Sequence, residues 1–169
     1  MAKREKLQKT NAMRELDSVG LAYTVHTYEV DESDLSGMHV ASVLGQDPDC
    51  VFKTLVTSTP SGGHVVCCIP VAEELDLKRA AAAAGEKSLS MLHVRDLLAT
   101  TGYVRGGCSP VGMKKRFPTL IDETAQLFDT VMISGGRRGA QIEITPDDLG
   151  TYCDATFASI CRSRDASAC

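Results

Sequence analysis

Hydrophobic positions change period along the chain so that helical and strand patterns alternate. Ala12, Met13, Leu16 and Val19 recur at helical spacing behind a cap at Thr10 or Asn11, and Gly20 follows, which predicts an amphipathic helix over 11–19. In LAYTVHTYE, residues 21–29, Leu21, Tyr23 and Val25 alternate with Ala22, Thr24 and His26, a strand pattern. Residues 37–45 predict a short helix stopped by Gly45. After the turn Asp47-Pro48-Asp49, the stretches 51–57 and 64–71, joined by Thr59-Pro60-Ser61-Gly62-Gly63, predict a hairpin. EELDLKRAAAAA, residues 73–84, carries acids first and basic residues later, then Gly85, which is the order a helix dipole and C-cap favour. A short strand at 88–92, a helix at 94–99 and strands near 117–121, 128–134 and 141–144 follow. Thr145-Pro146-Asp147-Asp148 then opens a closing helix expected to reach about Ile160.

This alternation predicts an α/β fold in a single domain, a mixed sheet or small barrel wrapped by helices. The domain is expected to span 10–162, with an N-terminal extension at 1–9 and a flexible tail at 163–169. A chain of 169 residues with 43% hydrophobic and 24% charged residues has the balance of a globular domain. It has no signal-like leader and no apolar run long enough to span a bilayer, so a cytoplasmic location without a membrane partner is expected. Seven cysteines without a Cys-x-x-Cys pair point to reduced thiols. The four histidines form no His-x-x-x-His pair, so no metal site is expected.

A net charge of −4 argues against nucleic acid bound over the whole surface. The distribution changes that picture, because residues 101–140 carry six basic and three acidic side chains. The glycine pairs 106–107 and 135–136 fall in the same segment. GGCSPVGMKKR, residues 106–116, either brings backbone N–H groups close to a ligand with cations behind them or is a tight turn with a solvated charge run. ISGGRRG, residues 133–139, repeats that composition.

In the strand 51–57, alternation sets Lys53 on one face between Val51 and Leu55. Such a lysine either snorkels to solvent or turns its ammonium into a pocket to hold an anion or polarise a carbonyl, and alternation leaves both open. Cys108 lacks an identifiable base partner and reads as a small buried hydrophobe rather than a nucleophile.

The segments HTYE at 26–29, DPDCVFKTLVT at 47–57, IPVAEELDLKRAAAAAG at 69–85, TGYVRGGCSPVGMKKRFPTLIDETAQ at 101–126 and ISGGRRGAQIEITPDDL at 133–149 together resemble the YbaK-type Cys-tRNA(Pro) deacylases, relatives of the prolyl-tRNA synthetase editing domains. The resemblance runs in order from about residue 10 to 162. It implies a compact α/β domain with a mixed, barrel-like β-sheet core surrounded by α-helices, and a hydrolase that cleaves the ester between an amino acid and tRNA, chiefly cysteine wrongly attached to tRNA(Pro), with no metal or organic cofactor. Lys53 matches the family's essential lysine and Thr54 its neighbour. Gly106, Gly107, Cys108, Ser109 and Pro110 match its Gly-x-x-x-P loop, Ser134 and Gly135 its second glycine loop, and Tyr28 the aromatic of the HTYE strand.

The basic residues Lys114, Lys115, Arg116, Arg137 and Arg138 are expected to guide the tRNA acceptor end, with prolyl-tRNA synthetase as a further candidate partner. The resemblance also implies that the substrate's own thiol attacks its carbonyl, so that an enzyme with no nucleophile suffices. Two departures stand out: Ser36, near which some members have an aromatic, and Gln141, where some have an aspartate. A deacylase for alanine or serine, or a non-catalytic module that binds aminoacyl-tRNA or a synthetase, are the alternative readings.

Overall fold

The computed structural model describes residues 8–163, so the expected extension at 1–9 and tail at 163–169 lie almost wholly outside the described residues. Five helices, each of eight residues, are too short to persist alone in water and depend on capping and on burying one face. They are α1 (Asn11–Ser18), α2 (Gly37–Leu44), α3 (Leu77–Ala84), α4 (Val94–Thr101) and α5 (Pro146–Cys153). Four start with a side chain that accepts a hydrogen bond from a first-turn N–H: Thr10, Ser36, Asp76 and Thr145. Helix α1 buries Ala12, Met13 and Leu16 of the stripe its sequence spacing predicts, whereas Val19, expected in the same stripe, is the C-cap after Ser18 and is exposed.

Eight strands form two sheets: β1 (Thr24–Thr27), β2 (Phe52–Ser58), β3 (His64–Pro70), β4 (Ser90–Met91), β5 (Thr119–Asp122), β6 (Val131–Ser134), β7 (Ala140–Ile144) and β8 (Thr156–Ala158). The smaller sheet is antiparallel, in the order β1-β7-β6. The larger runs β4-β2-β3-β5-β8, antiparallel through the β2–β3 hairpin and parallel from β3 to β5 to β8. The isolated parallel bridge Val51–Met132 joins the sheets, so the core is the expected mixed, barrel-like one in an open form.

Strand β3 is buried on both faces, which is why its sequence is a continuous apolar run. Val66 and Cys68 face the core shared with Phe52, Val56, Ile121, α1 and the small sheet. Val65, Cys67 and Ile69 face α3 through Ala80 and Ala81.

The structure corrects the closing helix. Helix α5 stops at Cys153, Asp154 adopts a left-handed conformation (φ 50°), and the chain turns back as β8 beside β5. Phe157 and Ile160 fit a helical period by position, but Phe157 packs across Gly150 and Ile160 enters the core around α3. Helix α3 likewise starts later than its acidic stretch suggests, because Asp76 is its cap. The strand expected at 88–92 shortens to Ser90–Met91, and that at 21–29 to Thr24–Thr27.

Gly112 holds the start of α1 against the loop that follows α4. It has φ +79°, and a Cβ there would lie 2.7 Å from Tyr103 Oη and 2.9 Å from Ala12 N. Gly62, at φ +87°, has open space around it. Gly62→Ala is therefore expected to lose about 1–2 kcal/mol from the backbone alone. Gly112→Ala should lose clearly more, read as a lower urea midpoint at unchanged m-value; equal losses would show that the Ala12 contact yields freely.

Candidate functional site

The larger sheet leaves one strand edge open beside the glycine loops. Strand β2 pairs with β3 along its whole length, but its second side meets β4 only at Thr57 and Ser58. Val51 O accepts from Val71 N and Thr59 N donates to Gly63 O, so the backbone groups of odd-numbered residues point to β3. Val56 O accepts from Leu92 N on the other side, and the N–H and C=O of Thr54, two residues earlier, share that direction. Thr54 thus presents its backbone where no strand continues the ladder.

A cavity of about 330 Å³ lies along this edge. Lys53 and Thr54 both line it, although their side chains leave opposite faces of β2, an arrangement that only an edge allows. Its other walls are Ser36, Gly37 and Met38 at the start of α2, Val71 after β3, Arg105, Gly106 and Cys108 from the first glycine loop, and Ser134 and Gln141 from the small sheet. Ser134 and Gln141 are cross-strand partners, which puts their side chains on one face. Ser36 spends its hydroxyl on His39 N, as the cap of α2.

Of the residues expected from sequence, the cavity thus gathers Lys53, Thr54, Gly106, Cys108 and Ser134. Gly107, Ser109, Pro110, Gly135 and Tyr28 stand outside its lining and hold the loops in place. A Cβ on Gly107 would lie 3.0 Å from the Arg137 backbone, so the two glycine loops touch main chain to main chain. Ser109 Oγ accepts from Val111 N, Gly135 N donates to Ala140 O, and Tyr28 N donates to Gly139 O. Pro110 O accepts from the Cys153 thiol.

Arg105 and Gln141 were not among the expected site residues. Arg105 had only its neighbour Gly106 as a signal, and Gln141 only its departure from the resembling family. For Leu35 and Met38, which also line the cavity, no sequence signal points to a site.

The electrostatics favour an anion or a polarised carbonyl. Lys53 and Arg105 are the charged residues of the lining, with no carboxylate among its described members. The start of α2 adds the positive end of its dipole. Cys108 is buried, and that burial pushes its thiol up to about 11, so it is protonated at neutral pH. Gln141 is only 6% exposed and its Oε1 has no hydrogen-bond partner. Such an acceptor costs the fold about 1–3 kcal/mol.

The basic residues divide into two groups. Arg138 Nε donates to Arg105 O at 2.9 Å, which sets Arg138 and its neighbour Arg137 on the loops beside the cavity. Lys114, Lys115 and Arg116 are exposed in the stretch after the first loop. There Arg116 donates to Tyr152 O at 2.9 Å and stacks on the Tyr152 ring.

Residues 38–152 match the family model of the aminoacyl-tRNA editing domain. Over 160 residues, 95% of this chain and 98% of the relative, the sequence is 47% identical to EbsC of Enterococcus faecalis, described as a candidate Cys-tRNA(Pro)/Cys-tRNA(Cys) deacylase. The fold is similar to that of the hypothetical protein APE2540, with a TM-score of 0.83 at 22% identity over 90% of this chain and 100% of the other. It is also similar to the crystal structure of a candidate trans-editing enzyme for prolyl-tRNA synthetase, with a TM-score of 0.77 at 23% identity over 90% and 95%. At these identities the two structures speak for the fold alone.

Because burial holds Cys108 protonated, its alkylation by iodoacetamide in the folded protein should be slow at pH 7 and rise about tenfold per pH unit, as the thiolate fraction does far below a raised pKa. Mass spectrometry of the alkylated peptide checks this. Fast labelling at pH 7 would identify Cys108 as an activated nucleophile.

Proposed function

The chain belongs to the aminoacyl-tRNA editing-domain family, and from this we propose that it is a trans-editing deacylase that hydrolyses the ester of cysteine mischarged on tRNA(Pro). The observation that carries the reading is the cavity on the β2 edge, where Lys53, Thr54, Gly106 and Ser134 converge without an activated protein nucleophile. An aminoacyl ester is already activated, so orientation and stabilisation of developing negative charge suffice to speed its cleavage. The Lys53 ammonium supplies that charge, and the Thr54 N–H on the open edge supplies a directed donor.

The nucleophile is the thiol of the substrate. Its sulfur attacks the ester carbonyl, the C–S bond forms, the C–O bond to the terminal ribose breaks, and the thiol proton ends on the departing ribose oxygen. The resulting thiolactone is opened by water to free cysteine. Selectivity is then chemical, since an amino acid without the thiol lacks the attacking atom.

Hydrolysis of Cys-, Ser- and Ala-esters on one tRNA(Pro) body tests this. The cysteine ester should react orders of magnitude faster than the serine ester at similar binding, because only the transition-state interaction differs. Lys53→Ala should lower its turnover by about 10²–10³ with the melting temperature unchanged. Equal rates for alanine and cysteine, or a near-normal Lys53→Ala, would overturn the proposal.

The basic residues are proposed to hold the acceptor end. Lys114→Ala with Lys115→Ala should raise KM more than it lowers kcat and reduce the slope of log K against log salt by about 1–2. Arg116→Ala should instead mainly lower stability, because its guanidinium packs on Tyr152. An unchanged salt slope in the double lysine variant would return those lysines to the solvated surface.

A further inference from the structure

Gln141 is the polar group of the cavity that the mechanism leaves unused, and its two ends differ. The side chain is more than nine-tenths buried, and Oε1 is enclosed without a partner. Nε2 donates to no described residue and is the end that opens to the cavity. A buried amide of this kind is a poor choice for packing, because an apolar side chain of the same shape would avoid the unpaired acceptor. What the amide adds is a free hydrogen-bond donor on the cavity wall.

Strand pairing fixes where that donor stands. Gly135 N donates to Ala140 O, so the next pair, Ser134 with Gln141, is of the non-hydrogen-bonded kind in which side chains lie closest. The parallel bridge Val51–Met132 sets β6 running alongside β2, and no described ladder joins the two strands beyond it. Ser134, two residues past the bridge, therefore stands across the gap from Lys53, two residues past Val51, and Gln141 stands beside Ser134. An ester whose carbonyl oxygen lies at Lys53 and the Thr54 N–H is attacked from a direction well away from that oxygen. The attacking atom thus lies on the side of the small sheet. In the thiol mechanism that atom is the sulfur.

Resting on the deacylase reading, we propose that Gln141 determines specificity for cysteine by donating a hydrogen bond from Nε2 to the sulfur of the bound substrate, holding it as the thiolate that attacks. A hydrogen bond to an ionised acceptor is roughly twice as strong as a neutral one, so the donation favours thiolate over thiol. A serine hydroxyl stays neutral and gains nothing comparable. The thiol gives its proton to water, the thiolate closes the C–S bond as the C–O bond breaks, and water returns a proton to the ribose oxygen. The charged or titratable groups facing the sulfur from the other walls are Lys53 of β2 and Arg105 and Cys108 of the first glycine loop, and α2 brings none to the lining. On the small sheet, His26 and Glu143 beside Gln141 are paired with each other at 2.8 Å. The two cations favour the thiolate as well, so the test turns on position 141 alone.

The test follows the thiol of an analogue that cannot be hydrolysed, 3′-(L-cysteinylamino)-3′-deoxyadenosine, with carbon-13 at the cysteine β-carbon, whose chemical shift moves when the sulfur ionises. Titrated on the whole protein, the bound thiol should ionise at least about one pH unit below the free analogue, a tenfold gain in thiolate. Gln141→Met, of similar volume, should return most of that shift and melt no lower than the wild type. Gln141→Glu keeps the shape but offers only an acceptor, so it should return all of the shift. In single turnover of Cys-tRNA(Pro) below the thiol's pKa, Gln141→Met should be slower by about threefold, because a tenfold loss of thiolate is partly offset by a more reactive sulfur. Above that pKa it should equal or exceed the wild type.

An unshifted thiol on the wild type, a shift retained in Gln141→Met or in Gln141→Glu, or no binding of the analogue would each overturn the proposal. So would a Gln141→Met that slows cysteine and serine esters alike at every pH, since the donor would then serve the carbonyl. A wild type that hydrolyses Cys-tRNA(Pro) with an unshifted thiol leaves the deacylase reading standing. One that ionises the bound thiol through Gln141 but hydrolyses no ester removes that reading and keeps the sulfur site.

Discussion

An unpaired strand edge inside a fold is the constraint from which the rest of this structure follows. Unpaired backbone donors and acceptors invite another strand, so such edges are usually covered, shortened or paired. Here β2 is fully paired on one side only, and its second side is closed at the ends, by β4 and by the Val51–Met132 bridge. Between them Thr54 faces a cavity instead of a neighbour. Beyond β2 itself and Val71 after β3, the walls of this gap come from distant parts of the chain: α2 and the residues before it, the first glycine loop and the small sheet. The main-chain contact of Gly107 with Arg137 keeps the two loops together at its mouth. A site built on an edge has directed backbone donors that side-chain variation leaves intact.

The charge pattern follows the same economy. An acidic chain places Lys53 and Arg105 where no described carboxylate of the lining balances them, so their field falls on whatever enters. The cysteines stay out of the chemistry for a reason common to several of them. Burial pushes the thiols of Cys67, Cys153 and Cys161 up to about 12, and that of Cys108 to about 11. They act as small apolar groups. The cavity thus offers a cation and no activated thiol.

Much of the element order was legible along the chain, since caps and glycine stops are local. Thr10, Ser36 and Thr145 cap the helices that follow them, and Gly45, Gly85 and Gly102 stand at the C-caps of theirs in the left-handed conformation. The boundaries that differed did so where a distant contact outweighed a local signal. Phe157 and Ile160 continued a helical spacing, but an edge position beside β5 and a place in the core around α3 won them for strand and loop. The acids at 73–74 resembled a first turn, yet Asp76 made the cap.

The candidate site shows the same division. Lys53 was identified as a lysine on an apolar strand face, and the glycine loops by composition, because both signals lie within a few consecutive residues. Whether Lys53 faced solvent or a pocket was decided by the tertiary structure, since that depends on β4 ending where it does and on α2 closing the other side. Arg105 and Gln141 joined the lining for a like reason: their roles come from what stands opposite them, Arg138 for one and an absent partner for the other. Sequence by itself determined which residues were suited to strands, caps and cationic loops, because those preferences act over one turn or one strand. Only the tertiary structure decided which of them meet, because burial, register and an open strand edge are properties of segments far apart in the chain.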